Sequence, residues 1–400
     1  MKRTAEVVII GGGIAGTSIA FYLSQMGVND VILLERDSLA SAATGNTEGF
    51  VRMHHTNPWD ASMALKGWEV YSNWSEIIGG YCGFIKTGYL LLVGQRDLAN
   101  LHSNIEMLKG LGINTGAITP NELRKMQPFL FLDDVAGAAY EPEAGYADGT
   151  LSVNSLSDRI RESGVIIEQS SIVTGITASN NKIDGVLVGG EKISASIVVI
   201  AAGAWSGLLT KTIGVNIPIE ARKVSAGILK RPPEINNHMI VMDFAQSRTA
   251  FRPEGKDLTT TTIRGKPEKQ YPIVDPDNFD RHTEMNDIIL SGMKLAHRIP
   301  AMENAGWIRT WASVDSFTPD GHPILDKIDG IDGLYIAAGF SGGGFKMGPA
   351  IGMCMSELIM EGKASSVDIS HYAINRFAKG NPIVGEFEYS NDTVNQLLSK

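Results

Sequence analysis

Cysteine is scarce: Cys82 and Cys354 are the only two in 400 residues. They are too few and too far apart for a disulfide framework or a metal-binding pair, and such usage suits a reducing compartment. Long apolar runs are missing as well. No stretch reaches the ~20 apolar residues that a membrane-spanning helix needs, so no membrane span is expected. Positive charge is in deficit, with 35 Lys and Arg against 44 Asp and Glu and a formal charge of −9. That balance argues against broad contact with nucleic acid or an anionic membrane. Neither an internal repeat nor a long low-complexity tract is present, which excludes a solenoid. What remains, 43% hydrophobic and 20% charged residues, is the composition of an ordinary globular protein long enough for two lobes. Lys2 and Arg3 precede an apolar stretch that imitates a secretion signal, but its glycines fall where a nucleotide turn needs them. The expected location is therefore the cytoplasm.

That stretch, residues 6–16, is the most informative part of the chain. It reads as a strand, a glycine turn and the start of a helix, followed by a second apolar strand ending at Glu35. Gly11, Gly13 and Gly16 match G-x-G-x-x-G. The first permits the tight turn, the second a close approach to a pyrophosphate, and the third close packing of helix on strand. The helix opening at Ile14 and Ala15 points a positive dipole end at the diphosphate. Glu35, about twenty residues on, is placed to accept ribose hydroxyls. These features together predict a dinucleotide site.

Small residues follow at 37–48, among them Thr44, Gly45 and Asn46, where a backbone can lie against a ligand and hydroxyls can reach phosphate oxygens. Arg52, His54 and His55 then sit among apolar residues. Asn57 and Pro58 cap a helix expected to run to Gly79 and Gly80. Further on, the pattern predicts a strand over 84–93, a helix over 97–111, and a short helix capped by Thr119. A strand over 135–140 follows, then a helix over 155–163, and a small meander made of 172–177, 183–188 and 192–193. Residues 196–200 form a separate apolar strand ending in Ala202, Gly203 and Trp205. A helix is expected over 278–298, with Met285, Ile288, Ile289, Met293 and Ala296 on one face.

Residues 334–339 repeat the buried-strand-to-glycine pattern and enter Gly342, Gly343, Gly344, Phe345 and Lys346, with a helix expected over 350–360. A lysine at a helix N-terminus opposes the macrodipole, so its placement suggests a task. It could pair with a substrate carboxylate or stabilise negative charge on a reduced cofactor.

The opening motif with Glu35, Thr87-Gly-Tyr89, Ala201 to Trp205, Arg309-Thr-Trp-Ala312, Thr318-Pro-Asp-Gly321 and Gly339 to Lys346 fall in an order that resembles the D-amino-acid oxidase superfamily. Within it the chain is most similar to sarcosine oxidase beta subunits and archaeal proline dehydrogenase beta subunits. The resemblance implies an α/β (mixed α+β) fold, with a Rossmann-like FAD-binding domain interleaved with an antiparallel-sheet substrate domain. The first would take residues 1–80, 141–215 and 316–380, and the second 81–140 and 216–315, with 381–400 as a C-terminal tail.

The resemblance also implies FAD and assigns roles. Gly11, Gly13, Gly16, Glu35 and Arg36 would hold the adenosine and diphosphate half. Thr44, Gly45 and Asn46 would line the route to the flavin, Val173 would meet adenine, and Ala202 with Gly203 would close over the nucleotide. Residues 342–346 would lie beside the flavin ring. Arg52 and Lys346 would bind a substrate carboxylate, with Arg252 and Arg309 as weaker candidates. His54 or His55 could help deprotonate the substrate amine, or both could be structural. No cysteine lies in residues 318–321, where monomeric sarcosine oxidases attach flavin, so noncovalent FAD is expected. The threonines of 259–262 stand near the place of an oxygen-activating lysine, which favours a dehydrogenase passing electrons to a carrier or partner subunit. The implied reaction is oxidation of the C–N bond of an amino acid, including N-alkylated or cyclic ones, to an imine. The alternatives are a 2-hydroxy-acid or glycerol-phosphate dehydrogenase, and a noncatalytic FAD-holding electron-relay subunit.

Overall fold

The computed structural model describes residues 4–246, 248–265 and 271–390, arranged around two eight-stranded sheets. In the first, Thr4–Ile10 runs parallel between Val31–Leu34 and Glu191–Ile200. Ile166–Glu168 extends it beyond Val31–Leu34, and Leu334–Ala338 joins it on the far side. Its central strands are apolar without alternation because both faces are covered. Val7 and Ile9 enter one buried cluster while Val8 and Ile10 enter another, as the two-residue period of a strand requires.

Residues 192–193 and 196–200 are one strand, Glu191–Ile200, not two. Its first half pairs antiparallel with Lys182–Val188 and its last residues pair parallel with Leu334–Ala338. The change of partner produces the change from alternating to continuous burial that makes the sequence read as two pieces.

The second sheet runs in the order Gly306–Phe317, Glu220–Lys230, Leu258–Ile263, Ala250–Glu254, Ile240–Asp243, Tyr89–Val93, Gly137–Glu141, Gly116–Ile118. It is antiparallel except where Ile240–Asp243 lies parallel to Tyr89–Val93. The expected strand 84–93 is broken at Gly88, whose φ of +77° turns Ile85–Lys86 into a separate three-stranded sheet with Phe50–Val51 and Gly145–Tyr146.

The helix expected over 278–298 begins only at Met285. Upstream, Asp280 accepts hydrogen bonds from the His282 backbone and ring, a local side-chain pattern that competes with helix. Its apolar stripe also faces outward: Met285, Ile289 and Met293 are exposed, while Leu295 and Arg298 are buried. Arg298 decides the orientation, because its guanidinium pairs with Asp243 at 2.9 Å and Asp134 at 2.8 Å and cannot be left unpaired in the interior.

The second glycine-turn helix starts earlier than expected, spanning Gly344–Glu361. Pro349 lies inside it and cannot donate to the Phe345 carbonyl. The Tyr71 hydroxyl donates to that oxygen instead, at 2.9 Å. This helix packs on Ile14–Gln25 so closely that a Cβ on Gly348 would lie 2.4 Å from the Ile14 side chain, and one on Gly352 2.4 Å from that of Ser18. The two glycine-turn helices thus form one packed unit.

Residues 381–390 are seated against the body of the protein; 391–400, the remainder of the expected tail, lie outside the described residues. Ile383 and Tyr389 are buried, and the Ser390 hydroxyl donates to Asp97 at 2.8 Å.

Candidate functional site

A cavity of about 740 Å³ runs between the two large sheets. Its floor at one end is the first glycine turn. Gly11 has φ of +117°, and a Cβ there would lie 2.3 Å from the Ala201 carbonyl oxygen, so only glycine lets these two strand ends meet. Gly16 would place a Cβ 2.0 Å from the Gly11 oxygen and serves helix–strand contact behind the wall. Gly11, Gly13, Ile14 and Ala15 line the cavity itself. The Ile14 N–H donates to Thr44 Oγ1 at 3.1 Å, which ties the small-residue loop to the helix start.

Glu35 also lines the cavity. Its Oε2 accepts from the Gly12 N–H at 2.8 Å and its Oε1 from the Asp37 N–H at 2.9 Å. Burial raises its pKa, opposed by these amides. Each oxygen keeps a further lone pair for a ribose hydroxyl.

At the same end Arg36 lies over the Trp205 ring, 4.5 Å from its centroid. Asp277 accepts from Arg36 Nη1 at 2.6 Å and from Trp205 Nε1 at 2.8 Å. Val173, Ala202 and Gly203 complete this end. No local pattern marks Asp277, because its partner Arg36 is 241 positions away.

The other end is built from the second glycine turn and the segment after Phe50–Val51. Gly342, Gly343, Gly344, Phe345 and Lys346 line it, as do Asn46, Arg52 and His55. Asp315, from the second sheet, braces the turn by accepting the Gly342 N–H at 2.9 Å. Lys346 is only 6% exposed. Burial, then the nearby Arg52, pulls its pKa down to about 7. Arg52 Nη1 donates to the His54 carbonyl, its Nε has no hydrogen-bond partner, and the guanidinium lies 5.6 Å from the Tyr89 ring centroid.

The two histidines part company. His54 does not line the cavity: it is 2% exposed, with Nε2 2.8 Å from the Tyr389 hydroxyl. Burial and Arg52 push its pKa down to about 3. It therefore stands behind the cavity wall, where it does not meet the expectation of a base facing the cavity. His55 does line the cavity, with a buried Nε2 that has no hydrogen-bond partner. Its Nδ1 lies 3.7 Å from Asp60, which also takes His322 Nδ1 at 2.8 Å and the Tyr372 hydroxyl at 2.7 Å. Burial, with Arg52 close by, holds His55 well below its usual pKa.

Besides His54 and Gly16, four sequence candidates stand outside the cavity wall. Gly45 and Gly339 serve packing, since a Cβ would lie 2.3 Å from the Ala40 oxygen and 2.5 Å from Thr318 Cγ2 respectively. Arg252 is buried and paired with Glu254 at 2.7 Å, and Arg309 is exposed beside Trp311. Glu48 is a further wall residue, one that no motif in the sequence marks. It lines the cavity with a buried, unpartnered Oε1, and burial pushes its pKa up to about 7 against the pull of Arg252 and Arg264.

A profile of the FAD dependent oxidoreductase family, abbreviated DAO, matches residues 6–358. Mouse sarcosine dehydrogenase is 26% identical, over 94% of this chain and 42% of its own length. The chain therefore spans less than half of that relative. The Arthrobacter sarcosine oxidase subunit beta is 24% identical, over 96% of this chain and 93% of that one. Among solved structures, L-proline dehydrogenase from P. horikoshii superposes with a TM-score of 0.88 at 28% identity, covering 96% of this chain and 100% of that one.

Proposed function

This chain belongs to the FAD dependent oxidoreductases, and we propose that within that family it oxidises the C–N bond of an amino acid, N-alkylated or cyclic forms included, to an imine. The observation that carries this reading is the convergence of Arg52, Lys346 and His55 on one wall beside the second glycine turn. The relatives named above act, by their names, on sarcosine and proline.

The cavity fits FAD on its own terms. One end offers a glycine turn, a helix N-terminus and an anchored carboxylate for a dinucleotide, and the other a second helix N-terminus. Bound FAD supplies the hydride acceptor at flavin N5. Gly11, Gly13, Ile14, Ala15, Glu35 and Arg36 hold the adenosine and diphosphate half in this reading, and residues 342–346 stand beside the ring. Neither Cys82 nor Cys354 lines the cavity and both are buried, which supports noncovalent FAD, released intact on denaturation. Two free thiols also suit a cytoplasmic setting.

Arg52 and Lys346 clamp the substrate carboxylate, the arginine through its fork and the lysine as a point charge. The clamp fixes the C–H bond to be broken, so positioning is the main contribution. His55 Nε2 takes the proton of the substrate ammonium, because a protonated amine cannot release hydride. Asp60 lies 3.7 Å from His55 Nδ1, and Nε2 has no hydrogen-bond partner, which leaves it available as the acceptor. Water then hydrolyses the imine. Among the described residues Lys346 is the lysine on the cavity wall, and of the threonine run only Thr262 reaches it. This supports a dehydrogenase that passes electrons to a carrier or partner subunit.

The test is anaerobic titration of the flavin-loaded protein with sarcosine, proline and D-amino acids, which should bleach the flavin. Bleaching by a 2-hydroxy acid or glycerol phosphate alone would replace this reading with the hydroxyl-oxidising one. No bleaching by any of them, with Arg52→Ala and Lys346→Ala behaving as wild type, would identify an electron-relay subunit.

A further inference from the structure

We infer that the C-terminal segment 383–390 is a positioning element for the carboxylate clamp, with Tyr389 acting on Arg52 through His54. The inference rests on the proposed clamp and extends it to residues that no part of that reading uses.

The segment runs from the loop at Asp320 to the helix Leu98–Gly110 and is fastened at each end. The Ile383 N–H donates to Asp320 Oδ2 at 3.0 Å, and Asp320 is itself gripped by Arg376 at 2.7 Å. On the other side Asn104 donates to the Phe387 carbonyl at 2.8 Å and Asn100 to that of Glu388 at 2.7 Å. Ser390 closes the run on Asp97, a residue only 4% exposed. These are main-chain and buried side-chain contacts, so the segment is held in one place and can act as a support.

What it supports is residues 52–56. At Gly385 the segment passes so close to Thr56 that a Cβ would lie 2.3 Å from its Oγ1. Tyr389 puts its hydroxyl 2.8 Å from His54 Nε2 and its ring on Phe244, with centroids 5.5 Å apart. Phe244 is also part of the cavity wall. The His54 carbonyl is the acceptor that Arg52 Nη1 uses, and the Met53 N–H is held by Glu141 Oε2 at 2.9 Å. The guanidinium is therefore aimed by its own backbone two residues on, and that backbone is placed by Tyr389 on one side and Glu141 on the other. An arginine side chain held in advance loses less rotamer freedom when a carboxylate arrives. His54 thereby acquires a role that fits its burial: it transmits position and does not touch substrate.

The experiment uses FAD-loaded full-length protein titrated with propionate, a carboxylate with no amine to oxidise, and followed by the flavin absorbance change. Tyr389→Phe is expected to raise the propionate Kd three- to tenfold while leaving FAD affinity unchanged. In an Arg52→Ala background the same substitution should have no further effect, because nothing remains to be aimed. Ser390→Ala, which removes the hydroxyl bonds to Asp97 but keeps the main-chain N–H bond to it at 3.0 Å, loosens the end of the segment without touching His54 and should shift the Kd in the same direction by a smaller factor. If Tyr389→Phe leaves the Kd unchanged, or weakens binding equally with and without Arg52, the segment is merely structural and the inference fails. If Arg52→Ala itself does not weaken propionate binding, the clamp fails and this inference falls with it. Failure of Tyr389→Phe alone leaves the clamp standing.

Discussion

The Lys346 ammonium lies 3.4 Å from the Gly343 carbonyl oxygen, a long contact made inside its own helical turn. A buried cation held this loosely depends on its surroundings for its charge. Arg52 opposes that charge, while Asp60 and Asp315 favour it less strongly, and His54, His55 and His322 lie on the neighbouring segments.

With its pKa near 7, Lys346 is charged below neutrality and neutral above it. A bound carboxylate favours the charged form, so carboxylate binding should weaken as pH rises past about 7. The limit is tenfold per pH unit, the equivalent of about 1.4 kcal/mol, until the lysine in the complex titrates. Propionate titrations from pH 6 to 9 check this. Lys346→Arg, which stays charged throughout, should flatten the curve; an unchanged slope would remove the lysine from the clamp.

His55→Asn should lower kcat/KM at pH 7 by roughly 10²- to 10⁴-fold, the range for loss of a general base. Without the imidazole, only substrate that is already neutral reacts. The deficit should therefore shrink as pH climbs toward the amine's own pKa. A deficit that stays constant with pH would assign His55 a packing role, and His54→Asn serves as the comparison.

Asp277→Ala should weaken FAD retention without altering the carboxylate clamp. Asp277 and Arg36 are 50% and 30% exposed, so the pair contributes at most about 1 kcal/mol, or roughly fivefold in the FAD dissociation constant. Fluorescence of released flavin measures it. An unchanged constant would reduce the Arg36–Trp205–Asp277 cluster to surface decoration.

Asp60 and His322 give stability a pH window. Burial opposes charge on both, yet their contact overrides it, lowering the pKa of Asp60 and raising that of His322. The Asp60 contribution is present above its unfolded value near ~3.9 and is lost as pH falls through the depressed folded value. The His322 contribution is complete below ~6.5 and is lost as pH rises through the raised folded value. Asp60→Asn should cost about 3–5 kcal/mol at pH 6, the penalty for breaking a buried pair, and less at pH 9. Urea midpoints at the two pH values test this, and equal losses at both would contradict it.

The parts of the fold that were legible in the sequence are those decided locally. The first glycine turn, the Asn57 cap, which accepts the Asp60 N–H at 2.8 Å, and the capping box at Thr119 and Glu122 each lie within a few residues of what they shape. Strand Glu191–Ile200 reads as two pieces because its two halves obey different neighbours. The outward turn of the apolar stripe on Met285–Arg298 is decided outside the helix, where the buried Arg298 pairs with Asp243 and Asp134.

The site shows the same division. Alternation along an extended chain would set Arg52 and His54 on one side, but the strand ends at Val51, and the residues sharing the cavity are Arg52 and His55. Asp277 and Asp315 join the cavity wall from distant segments, and Tyr389 reaches His54 behind it from another. No local pattern marks an aspartate as the brace of a turn or a tyrosine as the neighbour of a histidine.

The contact of Gly348 with Ile14 and of Gly352 with Ser18 makes the protein its own gauge. The span from the first glycine turn to Lys346 is set by two touching helices, so it is fixed by the protein's own packing. In the proposed reading FAD would be measured against that fixed length, and a side chain added at either glycine would force the two helices apart and shift both ends of the cavity at once.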